Sequence, residues 1–177
     1  MSPDHARILV ANGVNLDLLG RREPDIYGKQ TLGDIETALT QLARGLEATG
    51  CFRSCRLSFY QSNSEEQFLL KLSEPWDGIL LNPGAWTHTS LALGDRMKAL
   101  GTPYIELHLS ALCRREAIRQ RSYTAEAALG VIQGLGPDSY TAGLTALLSY
   151  LSRFSREQAH GIDQGKKKQE ASERTCL

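Results

Sequence analysis

The sequence predicts an α/β domain built on a five-stranded parallel sheet with helices on both faces. Three observations support this prediction. Short apolar runs recur along the chain, amphipathic stretches with a helical period separate them, and Gly, Pro or Asn stands at most of the boundaries. Strands that alternate with helices in this way form parallel sheets that are buried on both sides.

The first half of the chain carries two predicted strand–helix units, with strands over residues 7–11 and 51–60 and helices over residues 31–49 and 64–72. Thr31 and Asp34 have the spacing of a capping box at the start of the longer helix, and Gly50 suits its end. Ser64 and Gln67 mark the start of the shorter helix in the same way.

The second half adds strands over residues 77–81, 104–109 and 129–132 and helices over residues 90–100 and 137–154. The segment 110–122 is polar and rich in Arg, and we expect it to be helical in part. For the five strands we predict the flavodoxin-like order 2-1-3-4-5 among the right-handed windings, which gives a three-layer sandwich.

We predict one α/β domain over residues 1–154 and a disordered tail over residues 155–177. The tail is polar, mixed in charge and nearly free of bulky apolar residues. Its three lysines at 166–168 are more typical of a solvated tail than of a binding patch.

Composition excludes several classes of partner. At 177 residues and 41% hydrophobic, the chain is long enough to bury one core, and its 20 Lys and Arg balance 20 Asp and Glu. No basic excess therefore indicates a nucleic acid or a membrane surface. The N-terminal residues resemble neither a signal peptide nor a spanning helix, so we expect a cytoplasmic protein.

Cys51 and Cys55 would lie about 13 Å apart in one strand, beyond the limit of about 7 Å for a disulfide, so we expect reduced thiols.

Polar side chains follow three of the predicted strands. The carboxyl ends of these strands meet at one edge of the sheet, where open α/β folds bind their ligands. A lone His in a strand is usually structural, but His and Asn together at neighbouring strand ends favour a functional site. The residues at these three ends are Asn12 and Asn15, Asn82 and His88, and Glu106 and His108.

Other kinds of site fit the sequence less well. Neither His88 nor His108 has a second ligand at a metal-binding spacing, and no Gly-x-Ser-x-Gly elbow is present. Residues 134–139 imitate a dinucleotide fingerprint, but they lack its third Gly and a later strand for the acid that binds the ribose. We therefore expect acid–base chemistry with no metal, flavin or nucleotide cofactor.

The loop over residues 12–28 adds a Tyr and two adjacent Arg. The ordinary pKa of Tyr is about 10, so Tyr27 would be a poor base at neutral pH without help. The charges of Arg21 and Arg22 favour the phenolate, but lowering the pKa of Tyr27 by three units requires about 4 kcal/mol. That requires two or more cations in a water-poor pocket. In the alternative interpretation, Tyr27 only packs to close the loop.

Ordered motifs along the chain resemble those of the type II 3-dehydroquinate dehydratases. The first is Asn-Gly-x-Asn-Leu-x-Leu-Leu-Gly-x-Arg-Glu-Pro-x-x-Tyr-Gly at residues 12–28. Those that follow are Gln-Ser-Asn-Ser-Glu at 61–65, Leu-Asn-Pro-Gly-Ala-Trp-Thr-His-Thr-Ser at 81–90, Ile-Glu-Leu-His-Leu-Ser at 105–110, Arg115-Glu116, Arg119, Ser122-Tyr123 and Gly-Val-Ile-x-Gly-Leu-Gly at 130–136. The resemblance covers roughly residues 7–150.

This resemblance implies a flavodoxin-like subunit that forms trimers, which pack into a dodecamer, a tetramer of trimers. It also implies dehydration of 3-dehydroquinate to 3-dehydroshikimate, in the shikimate pathway or in quinate catabolism, with no cofactor and no Schiff base. The implied partners are the small-molecule substrate and further copies of the chain.

The resemblance assigns the first half of the reaction to the loop. Tyr27, as a phenolate, would remove a proton next to the ketone and produce an enolate. Arg22 and Arg115 would hold the phenolate form, and Asn15, through a water, would stabilise the enolate oxygen. We also predict that the loop between Gly20 and Gly28 is a lid that closes over the substrate.

The resemblance assigns the second half of the reaction and the binding of substrate to residues of the later motifs. His108, oriented by Glu106, would protonate the departing hydroxyl. The implied binding groups are the backbone N–H groups of Leu109 and Ser110 for the carboxylate, Asn82, His88 and Arg119 for the ring hydroxyls, and Asp95 reaching into a neighbouring site of the trimer.

The chain departs from the family pattern at five positions, which are Val14 for Pro, Gly94 for Arg, Ala111 and Cys113 for Asn and His, and Ser139 for Gly. None removes an implied catalytic group, although Gly94 and Ala111 would alter the trimer contact or the surroundings of the site. Two alternatives stay open: an inactive family member that acts as an oligomeric binding protein, and a flavodoxin-like ligand-binding module.

Overall fold

The computed structural model describes residues 5–21, 30–50 and 54–153. They contain a five-stranded parallel sheet in the order β2-β1-β3-β4-β5, which confirms the predicted class and topology. The strands are β1 (Ala6–Asn12), β2 (Cys55–Gln61), β3 (Gly78–Asn82), β4 (Tyr104–His108) and β5 (Gly130–Gln133). The α-helices are α1 (Leu32–Ala48), α2 (Glu65–Leu72), α3 (Trp86–Thr89), α4 (Leu91–Leu100) and α5 (residues 138–153).

Side-chain caps fix where three of the helices begin. The Thr31 hydroxyl accepts a hydrogen bond from the Asp34 backbone N–H at 3.2 Å, and the Asp34 carboxylate accepts one from the Thr31 N–H at 2.8 Å. This is the predicted capping box of α1. Ser64 and Ser90 cap α2 and α4 with their hydroxyl oxygens. The caps satisfy N–H groups that have no partner inside the helix.

Two segments differ from the sequence-based prediction. The region 110–122, predicted to be helical in part, forms only short 3₁₀ turns at Leu112–Arg114 and Ala117–Arg119 and no α-helix. Leu112 is the one buried residue of these turns, so the region lacks the apolar stripe that holds a helix against a core. Helix α3 was not predicted, because four residues are too few to show a helical period. The predicted tail, 155–177, lies outside the described residues.

Helices cover both faces of the sheet, and alternate residues of β1 show the two cores. Ile8 and Val10 point into one core and Leu9 and Ala11 into the other, and all four are fully buried. Helices α1 and α5 cover the first face, and α2 and α4 cover the second. Within the described ranges, no helix has the length and apolar character needed to cross a membrane.

The loops that follow β1 and β3 touch each other at two glycines. A Cβ on Gly13 would lie 2.3 Å from the Pro83 carbonyl oxygen, and a Cβ on Gly84 would lie 2.6 Å from the Val14 carbonyl oxygen. Gly13 also donates its N–H to the Asn82 carbonyl at 2.7 Å. This contact holds the two strand ends together, so the residues that follow them share one small volume.

We expect Gly13→Ala to lower the free energy of unfolding by about 1–3 kcal/mol, because the added methyl group would overlap backbone atoms that other contacts hold in place. Gly45→Ala is the matched control, since a Cβ on that exposed residue of α1 would have nothing within 4 Å. It should raise the free energy of unfolding by about 0.5–1 kcal/mol through helix propensity. Urea denaturation measures both changes, and equal values for the two variants would contradict the close contact.

Candidate active site

A cavity of about 290 Å³ opens at the carboxyl edge of the sheet, where β1, β3 and β4 end. Its walls come from the loop after β1, the turn after β3, helix α3 and the segment after β4. The residues that line it are Val14, Asn15, Leu16, Leu18, Leu19, Asn82, Gly84, Ala85, His88, His108, Leu109, Ser110, Leu112, Arg115 and Arg119.

Eight residues singled out from the sequence line this one cavity: Asn15, Asn82, His88, His108, Leu109, Ser110, Arg115 and Arg119. Glu106 lies behind His108 and is fully buried. Asp95 is exposed on α4 and does not line the cavity of its own chain. Arg22, Tyr27 and most of the predicted lid lie outside the described residues. The roles assigned to all of these residues stay predictions.

Glu106 and His108 form a buried ion pair or hydrogen bond next to the cavity. The Nε2 atom of His108 lies 2.6 Å from Oε1 of Glu106. Alternate residues of a strand point to the same face, so these two side chains of β4 lie side by side. Because Nε2 is engaged by the carboxylate, Nδ1 is the ring nitrogen left for a ligand in the cavity.

Three hydroxyl groups complete the surroundings of Glu106. Thr87 and Ser122 each donate to Oε1 at 2.9 Å, and Thr124 donates to Oε2 at 2.5 Å. Burial by itself would raise the pKa of Glu106, but the hydrogen bonds and charge of His108 and the hydroxyl donors outweigh it. The pKa of Glu106 is therefore lower than usual, and the carboxylate stays ionised in the interior.

Close packing holds the segment 122–124, which carries the Ser122 and Thr124 hydroxyls, next to Glu106. The backbone N–H of Tyr123 donates to the Thr87 carbonyl at 2.8 Å. Gly94 on α4 is buried beneath the same segment, and a Cβ there would lie 2.9 Å from the Tyr123 carbonyl oxygen. Gly94 thus sits where this chain has no space for a side chain.

His88 faces His108 across the cavity, with ring centroids 6.4 Å apart. Its Nδ1 atom lies 2.6 Å from the backbone carbonyl oxygen of Arg121. A carbonyl oxygen can only accept, so Nδ1 carries a proton. The Nε2 atom of His88 is then free to accept a hydrogen bond from a ligand hydroxyl when the ring is neutral.

Asn15 holds the left-handed backbone conformation with φ of 64°. Its backbone N–H donates to the Asn63 side-chain oxygen at 2.7 Å, and Gln61 donates to that same oxygen at 3.1 Å. Asn tolerates this conformation better than most residues. The motifs at residues 12–28 and 61–65 are therefore in direct contact, and the contact fixes the backbone of Asn15 beside the cavity.

A second buried polar chain lies under the cavity floor. The Tyr140 hydroxyl of α5 donates to the Asn12 side-chain oxygen at 2.6 Å and accepts from Nδ2 of Asn82 at 2.8 Å. Burial raises the pKa of Tyr140, so the phenol stays protonated. The neighbouring Ser139 donates its hydroxyl to the His108 carbonyl at 3.0 Å.

The mouth of the cavity carries positive charge. Arg115 and Arg119 line it, and Glu116 pairs with Nε of Arg119 at 2.7 Å and with Nε of Arg115 at 3.5 Å. Backbone and Arg119 hydrogen bonds lower the pKa of Glu116 to about 2. Among the described residues at this part of the cavity, two guanidinium groups lie beside the one exposed carboxylate of Glu116, an excess of positive charge that favours an anionic ligand.

Part of the cavity wall is apolar. It consists of Leu16 and Leu18 of a 3₁₀ turn, of Leu19 and of Leu112. Leu16 and Leu112 are buried, while Leu18 is partly exposed. Apolar walls exclude water and strengthen charge interactions inside the site. In the part of the chain that the structure describes, no group of His, Cys, Asp or Glu could hold a metal ion.

Sequence reasoning did not assign a role to Thr87, Ser122, Thr124 or Tyr140. One signal did point to such partners: Glu106 lies between apolar residues of a buried strand, and a buried carboxylate requires donors. The sequence did not show which hydroxyls supply them, because they lie 16 to 19 residues away in two separate segments.

Comparisons with known proteins agree on one family. The model of the family "Dehydroquinase class II" matches residues 6–148. A 3-dehydroquinate dehydratase of Carboxydothermus hydrogenoformans is 47% identical over 158 residues, which cover 88% of this chain and 98% of that protein. The enzyme of the same name from Prochlorococcus marinus is 44% identical over 82% of this chain and 98% of its own length.

Solved structures that are similar to this chain belong to the same family. A type II dehydroquinase from Propionibacterium acnes superposes with a TM-score of 0.73 at 34% identity, covering 82% of this chain and 99% of that one. A type II dehydroquinase from Butyrivibrio crossotus gives a TM-score of 0.72 at 32% identity, covering 80% of this chain and 97% of the other.

Acid should weaken the fold through Glu106. Its pKa is lower in the folded state than in the unfolded chain, so the unfolded state binds more protons as pH falls below about 4.5, and stability is lost there. At neutral pH we expect Glu106→Gln to lower the free energy of unfolding by about 1–3 kcal/mol, because the amide cannot accept from all of its donors. The difference from the wild type should shrink below about pH 4.

Urea denaturation from pH 3 to pH 7 measures this difference. Glu47→Gln, at an exposed carboxylate near the end of α1, is the control and should stay within about 0.5 kcal/mol of the wild type. A Glu106→Gln variant whose deficit in stability did not change with pH would contradict the lowered pKa.

Proposed function

Because the chain belongs to the class II dehydroquinases, we propose that its cavity dehydrates 3-dehydroquinate through an enolate, with Tyr27 as the base and His108 as the acid. The reaction class, conversion of 3-dehydroquinate to 3-dehydroshikimate, follows from the family and from relatives of that name. The single observation that supports this division of roles best is the Glu106–His108 pair at the cavity wall.

We assign the removal of the proton next to the ketone to Tyr27. The base must be a phenolate, and a cation close by makes that form easier to reach. Arg115 lines the cavity and supplies one such charge, and Arg22 of the same loop as Tyr27 would supply the other. The apolar wall strengthens both interactions by excluding water.

Proton removal places negative charge on the ketone oxygen. We propose that Asn15, acting through a water, stabilises this enolate. The rigid backbone of Asn15, held by Asn63, supports the assignment, because a donor that stabilises a transition state must be positioned in advance.

His108 is suited to the second proton transfer. In its protonated form, the ring would give the Nδ1 proton to the departing hydroxyl, which leaves as water. The Glu106 carboxylate lies 2.6 Å from Nε2 and so orients the ring with Nδ1 toward the ligand. The ring returns to its neutral form, held through Nε2, once the carbon–oxygen bond has broken.

The remaining polar groups would bind the substrate. We propose that the carboxylate meets the backbone N–H groups of Leu109 and Ser110. The ring hydroxyls would then contact Asn82, His88 and Arg119. Asp95 is exposed on α4 and would complete the site of a neighbouring subunit, in a trimer that packs into a dodecamer.

The appearance of the conjugated enone of 3-dehydroshikimate, followed by absorbance, tests the proposed function. Purified protein should turn over 3-dehydroquinate with no added metal or cofactor and no loss of activity when borohydride is added with substrate. Absence of turnover in assembled protein would overturn the proposal and favour an oligomeric binding protein instead.

We expect Tyr27→Phe to lower kcat by at least about 100-fold, because general base catalysis contributes about 10² to 10⁴ in rate. Substrate binding should persist, since the ring is kept and only the hydroxyl is lost. Tyr60→Phe makes the same change on β2, where the ring packs against Phe68, and should leave kcat within about twofold. A Tyr27→Phe enzyme with wild-type kcat would remove Tyr27 from the role of base.

A further inference from the structure

Tyr140 joins two strand ends through one hydroxyl group. Asn12 ends β1 and Asn82 ends β3, and the two are paired in the sheet. Both Asn side chains are almost fully buried, and Tyr140 is completely buried. The hydroxyl lies 2.6 Å from Oδ1 of Asn12 and 2.8 Å from Nδ2 of Asn82.

The hydroxyl fixes the direction of the Asn82 amide. A phenol has one proton, and here Oδ1 of Asn12 accepts it. Toward Asn82 the phenol oxygen can therefore only accept, so the amide must present its NH₂ group to Tyr140. On its other side, Oδ1 of Asn82 accepts from the Gly84 N–H at 3.2 Å. Rotation of the amide by half a turn would break both contacts.

This arrangement leaves Asn82 with one N–H and one lone pair that Tyr140 and Gly84 do not use. Asn82 lines the cavity, so these are the groups that a ligand can meet. A ligand hydroxyl can donate and accept at the same time and therefore matches both. A ketone or an ether oxygen can only accept and matches one of them.

We propose that Tyr140 is a positioning residue that fixes the polarity of Asn82 and so makes this end of the cavity selective for a ligand hydroxyl. Asn12 contributes by taking the phenol proton. The inference rests on the proposed function only for the identity of the ligand, 3-dehydroquinate or its product.

Tyr140→Phe tests the inference with the smallest possible change. We expect KM to rise about three- to tenfold, the change that loss of one neutral hydrogen bond gives, while kcat stays within about twofold. Calorimetry should show a similar rise in Kd for 3-dehydroshikimate. We expect an unchanged kcat because the hydroxyl that is removed bonds to Asn12 and Asn82 and not to His108 or Glu106.

Leu147→Ala is the control for a merely structural effect. Leu147 lies on α5 as well, but it packs at the other end of the sheet, where a Cβ on Gly78 would lie 3.1 Å from its side chain. It is fully buried, so its truncation should lower the melting temperature at least as much as Tyr140→Phe does. KM and product Kd should nevertheless keep their wild-type values.

Asn12→Ala tests whether Asn12, Tyr140 and Asn82 act as one chain of hydrogen bonds or whether only the contact between Tyr140 and Asn82 matters. It should raise KM in the same direction as Tyr140→Phe, and the double variant should show less than the product of the two effects, because both changes disturb one chain. Unchanged KM and Kd in Tyr140→Phe, or the same rise in Leu147→Ala, would overturn the inference. Turnover by the wild-type protein tests the proposed function separately. The ratio of the Kd of Tyr140→Phe for 3-dehydroshikimate to that of the wild type tests this inference even if no turnover is seen.

Discussion

The ionised carboxylate of Glu106 is the constraint on which the cavity depends. A charge in the interior is tolerated only when donors surround it, because desolvation otherwise costs several kcal/mol. Its donors come from β4, from α3 and from the segment at 122–124. These three parts must meet at one point for the charge to be stable, so the hydrogen bonds that satisfy Glu106 also set the shape of one side of the cavity.

Two buried polar chains approach the cavity from different directions. One runs through Glu106 to His108, and the other runs from Asn12 through Tyr140 to Asn82. Each orients one side chain that lines the cavity. The orientation of these side chains therefore depends on buried groups behind the cavity wall, which is typical of preorganised sites.

The sequence was enough to predict the sheet order, the caps of the helices and the convergence of Asn82, His88 and His108. The caps follow from local residue spacing, and the convergence follows from the rule that parallel strands end at one edge. The order 2-1-3-4-5 was the flavodoxin-like choice among the right-handed windings. The hydroxyl groups around Glu106 and the role of Tyr140 could not be predicted. They depend on contacts between distant segments, and no local pattern specifies which hydroxyl meets which carboxylate.

The narrow space at Gly94 couples position 94 on α4 to the segment 122–124. The Tyr123 backbone rests on this glycine, and its neighbours Ser122 and Thr124 donate to Glu106. A larger residue at position 94 would overlap that backbone and push it away from the carboxylate. The effect of a substitution at 94 thus depends on the conformation of the segment at 122–124. We therefore expect substitutions at 94 to be epistatic with substitutions at 122–124.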